Sequence, residues 1–312
     1  MLKKCHNSVF VAVLVVAGAS FTRAQTASVD GAQLLRDLET LSADAMEGRL
    51  PGTPGGARAR AYIIQRFKEV GIQPIGDSYE RPFTFKALGS PDERSGVNIV
   101  GVIRGRREPE RYLALTAHYD HLGVRNGQVY NGADDNASGV AAVLAIAARL
   151  SADKPDHSVL VAALDAEEMG LIGSRELVKT PPVPLDAIYM NVNLDMVARD
   201  ENNRLYAVGA HHYPFLKAYL KDVASPPVSL RLGHDTPNNP KEDDWTQDSD
   251  HFPFHQAGIP FIYFGVEDEA QHHKATDDAE TVTKKFFVGA ANTILAAVRR
   301  FDKNLEGIRQ RK

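Results

Sequence analysis

The sequence predicts a layered α/β fold, with helices packed against a mixed, mostly parallel central sheet, and three observations carry that expectation. Short β-branched apolar runs recur along the chain, and most are apolar on both faces, as strands buried inside a sheet are. Helical apolar spacings alternate with these runs, the order that α/β architectures produce. A chain of 312 residues, 43% apolar and 24% charged, is also long enough to bury one large core.

Taken from the N-terminus, Lys3 and Lys4 precede an apolar run over 9–19, and the small-residue ending Thr22-Arg23-Ala24 follows. This layout predicts a secretory signal over 1–24, and the run is too short to span a bilayer comfortably. The expectation is therefore an exported protein, periplasmic or extracellular, with no stable membrane span after cleavage. Residues 25–312 read as a single domain, since no repeat period and no long Ser/Gly or charged linker is present. Apolar residues fall at helical spacing over 33–41 and 55–70, the second ending at Gly71, a residue suited to a position just past a helix end. Strands are expected at 97–103, 112–117, 158–164, 188–194, 204–208 and 260–264. Helices are expected between and after them, at 137–150, 171–179, 212–223 and 283–301.

Charge and cysteine content narrow the chemistry. The formal charge of −4 gives no basic surface for nucleic-acid phosphates, and loss of Lys3, Lys4 and Arg23 with the signal would take it to −7. The single cysteine, Cys5, would leave with the same segment. Neither a disulfide framework nor a thiolate zinc site can then be built, so any metal must be held by histidine and carboxylate.

In open α/β sheets ligands bind outside the carboxyl ends of the strands. The strand over 112–117 runs into His118-Tyr119-Asp120-His121, that over 158–164 into Asp165-Ala166-Glu167-Glu168, and that over 188–194 ends at Asp195. The last strand leads through Glu267 to His272-His273, and the loop Gly132-Ala133-Asp134-Asp135-Asn136 opens a helix. Singly, a histidine or aspartate in such a place is more often a cap or turn residue than a ligand. Together they form an oxygen-rich histidine and carboxylate set larger than one catalytic zinc takes from protein, so two metals are implied. At i and i+2 of an extended strand end, Asp120 can accept a ring N–H from His118 and fix its tautomer. Adjacent Glu167 and Glu168 point different ways, which leaves one to bind metal and the other to act as a base.

In this order, His118-x-Asp120, the Gly132 to Gly139 loop, Glu167-Glu168-x-Gly170, Asn193-Leu194-Asp195-Met196 and His273-x-x-x-Asp277 resemble the two-zinc family that contains bacterial leucyl aminopeptidases. Glutamate carboxypeptidase II, the transferrin receptor and glutaminyl cyclases are relatives. The likeness runs from Glu47-Gly48-Arg49 and Gly52-Thr53-Pro54-Gly55 through Ser249-Asp250-His251 to the last helix. It implies a three-layer α/β/α zinc-exopeptidase fold without a protease-associated insertion, the stretch 82–96 being too short for one.

The resemblance implies that Asp135 bridges two divalent ions, zinc with manganese or cobalt as alternatives. His118 and Asp195 then complete one site, and Glu168 and His273 the other. It leaves Glu167 as general base, makes Asp120 the partner of His118, and implies a cis peptide at Asp135-Asn136. His273 is preferred to His272 because of Asp277 four residues on, and Asp134 is the neighbour that a one-residue slip would select. The implied activity is an exported aminopeptidase that uses a two-metal-activated water on peptides with a free N-terminus, since excess carboxylate suits an α-ammonium group. A carboxypeptidase or dipeptidase is the nearer alternative, with Arg125 or Arg199 as carboxylate binders. A glutaminyl cyclase, generally with one zinc, or a non-catalytic receptor-like module is a further one. The segment 231–250, which holds the only tryptophan, Trp245, is a candidate pocket wall. Asp250 and His251 are candidate substrate contacts. His121, His211, His212 and His234 are expected to be structural or exposed.

Overall fold

A computed structural model describes residues 28–86, 92–268 and 270–310. The expected signal segment over 1–24, with Cys5, lies outside the described residues. Strands are β1 (Gln73–Pro74), β2 (Glu80–Lys86), β3 (Glu93–Ile103), β4 (Glu108–His118), β5 (Gly123–Arg125), β6 (Gln128–Tyr130), β7 (His157–Leu164), β8 (Ile188–Leu194), β9 (Arg204–Val208), β10 (Ser229–Leu232) and β11 (Phe261–Gly265). Helices are α1 (Gly31–Leu41), α2 (Pro54–Val70), α3 (Gly139–Asp153), α4 (Ile172–Lys179), α5 (Lys217–Leu220), α6 (His251–Gln256), α7 (Lys284–Lys303) and α8 (Leu305–Arg309).

The main sheet runs in the order β1-β3-β7-β4-β8-β11-β9-β10, and β2 also pairs with β3. Its centre, β7-β4-β8-β11, is parallel, whereas β3 and β9 run antiparallel to their inner neighbours, so the sheet is mixed as expected. Alternation along the strands divides the core. Leu113, Leu115, Val159, Val161 and Val192 face the cluster that α1, α2, α3 and α7 complete. Tyr112, Ala114, Leu160, Ala162 and Leu164 face Leu177 of α4 and Phe254 of α6 on the opposite side. Three layers result, and no helix among the described residues is long and apolar enough to cross a membrane.

Helix α3 is buried at every position from Gly139 to Ala147 because the sheet lies on one side and α1, α2 and α7 on the other. Each large apolar side chain placed there, such as Leu144, stabilises the fold by about 1.5–3 kcal/mol. Its first residue is glycine for a steric reason: a Cβ on Gly139 would lie 2.5 Å from the carbonyl oxygen of Leu194 at the end of β8. The start of α3 is thereby pressed against the strand ends, which brings the loop before it to the same sheet edge.

Arg49 ties that edge together from below. Its side chain is buried, and it donates to the carbonyls of Tyr119 (2.7 Å), Leu41 (2.7 Å), Asn131 (2.6 Å) and Gly132 (2.9 Å). One guanidinium thus links the end of α1, the chain leaving β4 and the loop before α3. Burial lowers its pKa to about 10, a value that still keeps it charged at neutral pH.

Two expectations need correction. The helix over 212–223 is reduced to α5, preceded by a turn at Pro214–Leu216 and ended by the extended backbone of Lys221. The apolar spacing of Leu216, Leu220 and Val223 reflects one turn of core contact rather than a long helix. The edge strands β1, β2 and β10 and the β5-β6 hairpin were not expected. They are short or half exposed, and Pro82 interrupts the β2 pattern, as proline does in edge strands.

At the opposite end of the sheet, Asp302 of α7 accepts hydrogen bonds from the backbone N–H of Asp156 and of His157, and lies 3.1 Å from His157 Nδ1. Burial disfavours the charged imidazole, but the Asp302 hydrogen bond and charge prevail and raise its pKa above 6.5. Burial likewise opposes the carboxylate, and the same partners hold Asp302 below 3.8. The imidazolium contribution is complete below the unfolded histidine pKa and is lost as pH rises through the raised folded value. The Asp302 contribution is present above 3.8 and is lost as pH falls through the lowered folded value. Chemical denaturation of Asp302→Asn across pH should therefore lack the loss of stability above about pH 6.5 that the parent protein has at this pair.

Candidate metal centre and cleft

Parallel strands deliver the polar residues to one edge. His118 is the last residue of β4, Asp195 follows β8, Glu167 and Glu168 follow β7 after Asp165, and His272 and His273 follow β11. His118 Nε2 lies 3.4 Å from Asp135 Oδ1 and 3.2 Å from Asp195 Oδ1. His273 Nε2 lies 3.3 Å from Asp135 Oδ2 and 2.9 Å from Glu168 Oε2. The two oxygens of Asp135 thus face different histidines, and Asp135 joins two donor sets. His272 Nε2 stands farther off, 3.8 Å from Asp135 Oδ2. The Asp135-Asn136 peptide is cis.

These donors suit a divalent cation. Ligands about 2.1 Å from one tetrahedral zinc lie about 3.4 Å from each other, close to the separations within the His118 set. Nitrogen and carboxylate oxygen without thiolate also fit manganese or cobalt. The charge pattern agrees. Burial opposes a charged His118, yet Asp195, Glu167 and Asp120 hold its pKa well above 6.5. Hydrogen bonds to Asp135 and Glu168 push His273 up to about 10. Against the cost of burial, the hydrogen bonds from His121 and His273 hold Glu168 well below the usual carboxylate range, and His118 lowers Asp195. Each set draws in positive charge, which a metal ion supplies by displacing protons.

Neighbouring elements hold the ligands in place. Asp195 Oδ2 accepts from Ser249 Oγ at 2.7 Å, Ser249 Oγ from Asn193, and Asn193 Oδ1 from Thr116, whose hydroxyl oxygen accepts from Asn191. This buried chain crosses β4 and β8. Asp120 acts differently from expectation. The His118 Nδ1 contact of 3.2 Å is to the Asp120 backbone carbonyl, and the carboxylate stands 3.6 Å away. That carboxylate accepts the backbone N–H of Glu167 (3.0 Å) and Glu168 (3.3 Å).

Asp134 faces away from the histidines and accepts from the Ala198 N–H at 2.7 Å. Its neighbour Asp135 faces them, as the preferred register requires. His121, expected to be structural or exposed, is fully buried inside the second set, 2.6 Å from Glu168 Oε1. The local pattern gave no sign of this, since the contact spans 47 residues of sequence.

A cleft of about 950 Å³ opens over the two sets. Asp135, Glu167, Glu168, Asp195 and His273 form its floor, and Trp245, His234 and Tyr263 form part of its wall. His234 is stacked on Trp245 with ring centroids 3.7 Å apart, so the segment 231–250 does line the pocket. Asp250 and His251 do not line it. Both are fully buried, and His251 stacks on Tyr263 and contacts the Trp245 carbonyl at 3.1 Å, which makes it a support behind the wall. Burial raises the Asp250 pKa to about 7 and lowers that of His251 to about 3. The guanidinium of Arg199 is engaged with Asp268, Asp277 and Thr281, and Arg125 lies over the Tyr130 ring. Neither arginine lines the cleft. Glu167 does, and its pKa is raised well above the carboxylate range by burial first, then by Asp195, Asp250 and Glu168, against the pull of His118.

Residues 98–298 match the sequence pattern of peptidase family M28, and the chain belongs to that family. Among curated proteins it is similar to the probable glutamate carboxypeptidase VP8 of Zea mays, 35% identical over 197 residues, which cover 56% of this chain and 25% of that protein. It is also similar to aminopeptidase YwaD of Bacillus subtilis, 27% identical over 270 residues, which cover 81% of this chain and 54% of that protein. The chain thus spans between a quarter and about half of the length of these relatives. The solved structure of BSAP, a zinc aminopeptidase from Bacillus subtilis, shares the fold at a TM-score of 0.68 and 17% identity, over 86% of this chain and 94% of that one.

The Asp135 loop depends on one further carboxylate. Asp277 accepts the backbone N–H of Asp134 and of Asp135, both at 3.0 Å, and Arg199 donates to it at 2.8 Å. Asp277→Ala would leave two buried amides and part of a buried guanidinium without their acceptor. Urea unfolding of this variant should register a loss of about 3–5 kcal/mol.

Proposed function

We propose that this protein is an exported aminopeptidase that hydrolyses the first peptide bond of substrates with a free N-terminus. His118, Asp135 and Asp195 would hold one divalent cation, and Asp135, Glu168 and His273 a second, with zinc the preferred ion. Bound there, the cations supply Lewis-acid polarisation of a peptide carbonyl and acidify water toward neutral pKa.

The chain's own residues supply the remainder. Glu167, at the cleft floor and held through its backbone N–H by Asp120, takes the proton of the attacking water and returns it to the departing amine. A raised pKa suits both steps near neutral pH. Complete ligand positions on both sides of Asp135 support hydrolysis over single-zinc cyclisation and over a non-catalytic binding role.

The observation that carries the choice of an aminopeptidase is the charge of the cleft. Beyond the candidate ligands and Glu167, its lining includes Glu242, Asp243 and Asp248, and also Glu267 and Asp268, which pair with Arg204 and Arg199, with Lys241 but no arginine lining it among the described residues. Such a lining attracts an α-ammonium group and repels a terminal carboxylate, which a carboxypeptidase must instead bind. Export rests on the Lys3 to Ala24 sequence pattern.

Glu167→Gln should reduce turnover by about 10²–10⁴-fold while metal content stays at the parent level. With the parent protein, peptides bearing a free N-terminus should be cleaved and their N-acetylated counterparts should not. Cleavage of blocked peptides alone would overturn the aminopeptidase reading.

A further inference from the structure

The surplus histidine of the second donor set carries an inference about how that set works, and it rests on the two-cation reading above. His121 lies on the loop after β4, fully buried, with Nδ1 2.6 Å from Glu168 Oε1 and 3.6 Å from Asp135 Oδ2. The other oxygen of Glu168 faces His273 Nε2 at 2.9 Å. The carboxylate is therefore divided, one oxygen to each imidazole.

Two roles are open to His121: direct ligand, or donor to a ligand. Distance separates them. Two ligands of one tetrahedral ion stand about 3.4 Å apart, and the contacts of His118 and of His273 with Asp135, at 3.4 and 3.3 Å, come close to that spacing. At 2.6 Å, Nδ1 and Oε1 are closer than any pair within the two proposed ligand sets, the tightest of which is His273 Nε2 to Glu168 Oε2 at 2.9 Å, so a direct hydrogen bond describes this contact better than shared coordination. A carboxylate only accepts, so Nδ1 carries the hydrogen.

The ring has no other polar task and little freedom to move. Its Nε2 is buried with no hydrogen-bond partner among the described residues. Leaving that atom unpaired costs free energy, which marks the ring as held for the sake of Nδ1. Gly132 presses against the opposite side. A Cβ there would lie 2.5 Å from Cδ2 of His121, and Gly132 has φ of +55°, a backbone region that favours glycine. The Gly132 carbonyl is in turn fixed by Arg49 at 2.9 Å. The ring, the glycine and the arginine form a stack that ends on Glu168.

We propose that His121 is a positioning residue: its Nδ1–H fixes Glu168 Oε1 so that Oε2 faces the second cation site with His273 and Asp135. Its effect falls on that site and leaves the His118 site unchanged. Hydrogen bonds of this type to metal-binding groups are worth about 10–100-fold in metal affinity.

The test is titration of metal-free protein with Co²⁺, read by absorption and calorimetry, with thermal unfolding of each metal-free variant as a check on folding. His121→Phe keeps a ring but removes the donor. His121→Asn places an amide N–H where Nδ1–H was. Parent protein should bind two Co²⁺; His121→Phe should bind one as tightly as the parent and the other about 10–100-fold more weakly, and His121→Asn should lose less than about tenfold. Parent-like binding of both ions by His121→Phe would overturn the proposal. So would a loss in His121→Asn of about tenfold or more, since an amide that donates but does not ligate would then have failed to substitute. A parent protein that takes up one ion would instead overturn the two-cation reading itself.

Discussion

The structure is organised around a concentration of negative charge that its own topology creates. Four parallel strands end on one edge, and the ends of β4, β7 and β8, with the loop before α3, bring Asp120, Glu167, Glu168, Asp195 and Asp135 into a space that Asp250 closes from behind. Like charges at such distances in a poorly hydrated site cannot all persist without compensation. The fixed cations nearby provide only part of it, Arg49 through its charge on Asp135, Asp120 and Glu168 rather than through direct contact. Arg49 is directed at carbonyl groups, and Arg199 is committed to Asp268 and Asp277. His118 and His273 are left to carry charge, and their raised pKa values are the local response. Divalent ions at the same positions answer the same demand with more charge and fixed geometry.

Around this centre, the ligand geometry is imposed by residues that do not face the cleft. Asp277 gathers the amides before and at Asp135, Asp120 gathers those of Glu167 and Glu168, and a buried chain from Asn191 to Ser249 reaches Asp195. Each support comes from a different segment, so the constellation is held by the tertiary fold rather than by any one loop. The proposed chemistry depends on this division of labour, since a group that takes up and returns a proton needs ligands that stay still while it works.

The central strands and their polar ends were legible in the sequence because burial on both faces leaves a local apolar signature, and polar residues stand out where it stops. The same local contrast, with the resemblance, selected Asp135 and His273, which stand 3.3 Å apart. What was not legible depends on contacts across long stretches of chain. His121 pairs with Glu168 and packs against Gly132, and nothing near it in sequence announces either neighbour. Asp120 was given the right neighbourhood, with its carboxylate 3.6 Å from His118 Nδ1, but its hydrogen bonds to the N–H groups of Glu167 and Glu168 were not legible because they join segments 47 and 48 residues apart. Asp250 and His251 were candidate substrate contacts as part of a polar motif, but Tyr263 and Phe261 pack against the His251 ring. The over-long helix at 212–223 failed for the opposite reason, since a short apolar spacing over one turn mimics a helix face.

The proposed bridging role of Asp135 is the claim on which the site stands, and diffraction from zinc-soaked crystals at wavelengths on either side of the zinc absorption edge tests it most directly. The account predicts two anomalous peaks, one on the His118 and Asp195 side of Asp135 and one on the Glu168 and His273 side. A single peak, or peaks that leave Asp135 out of contact, would contradict it.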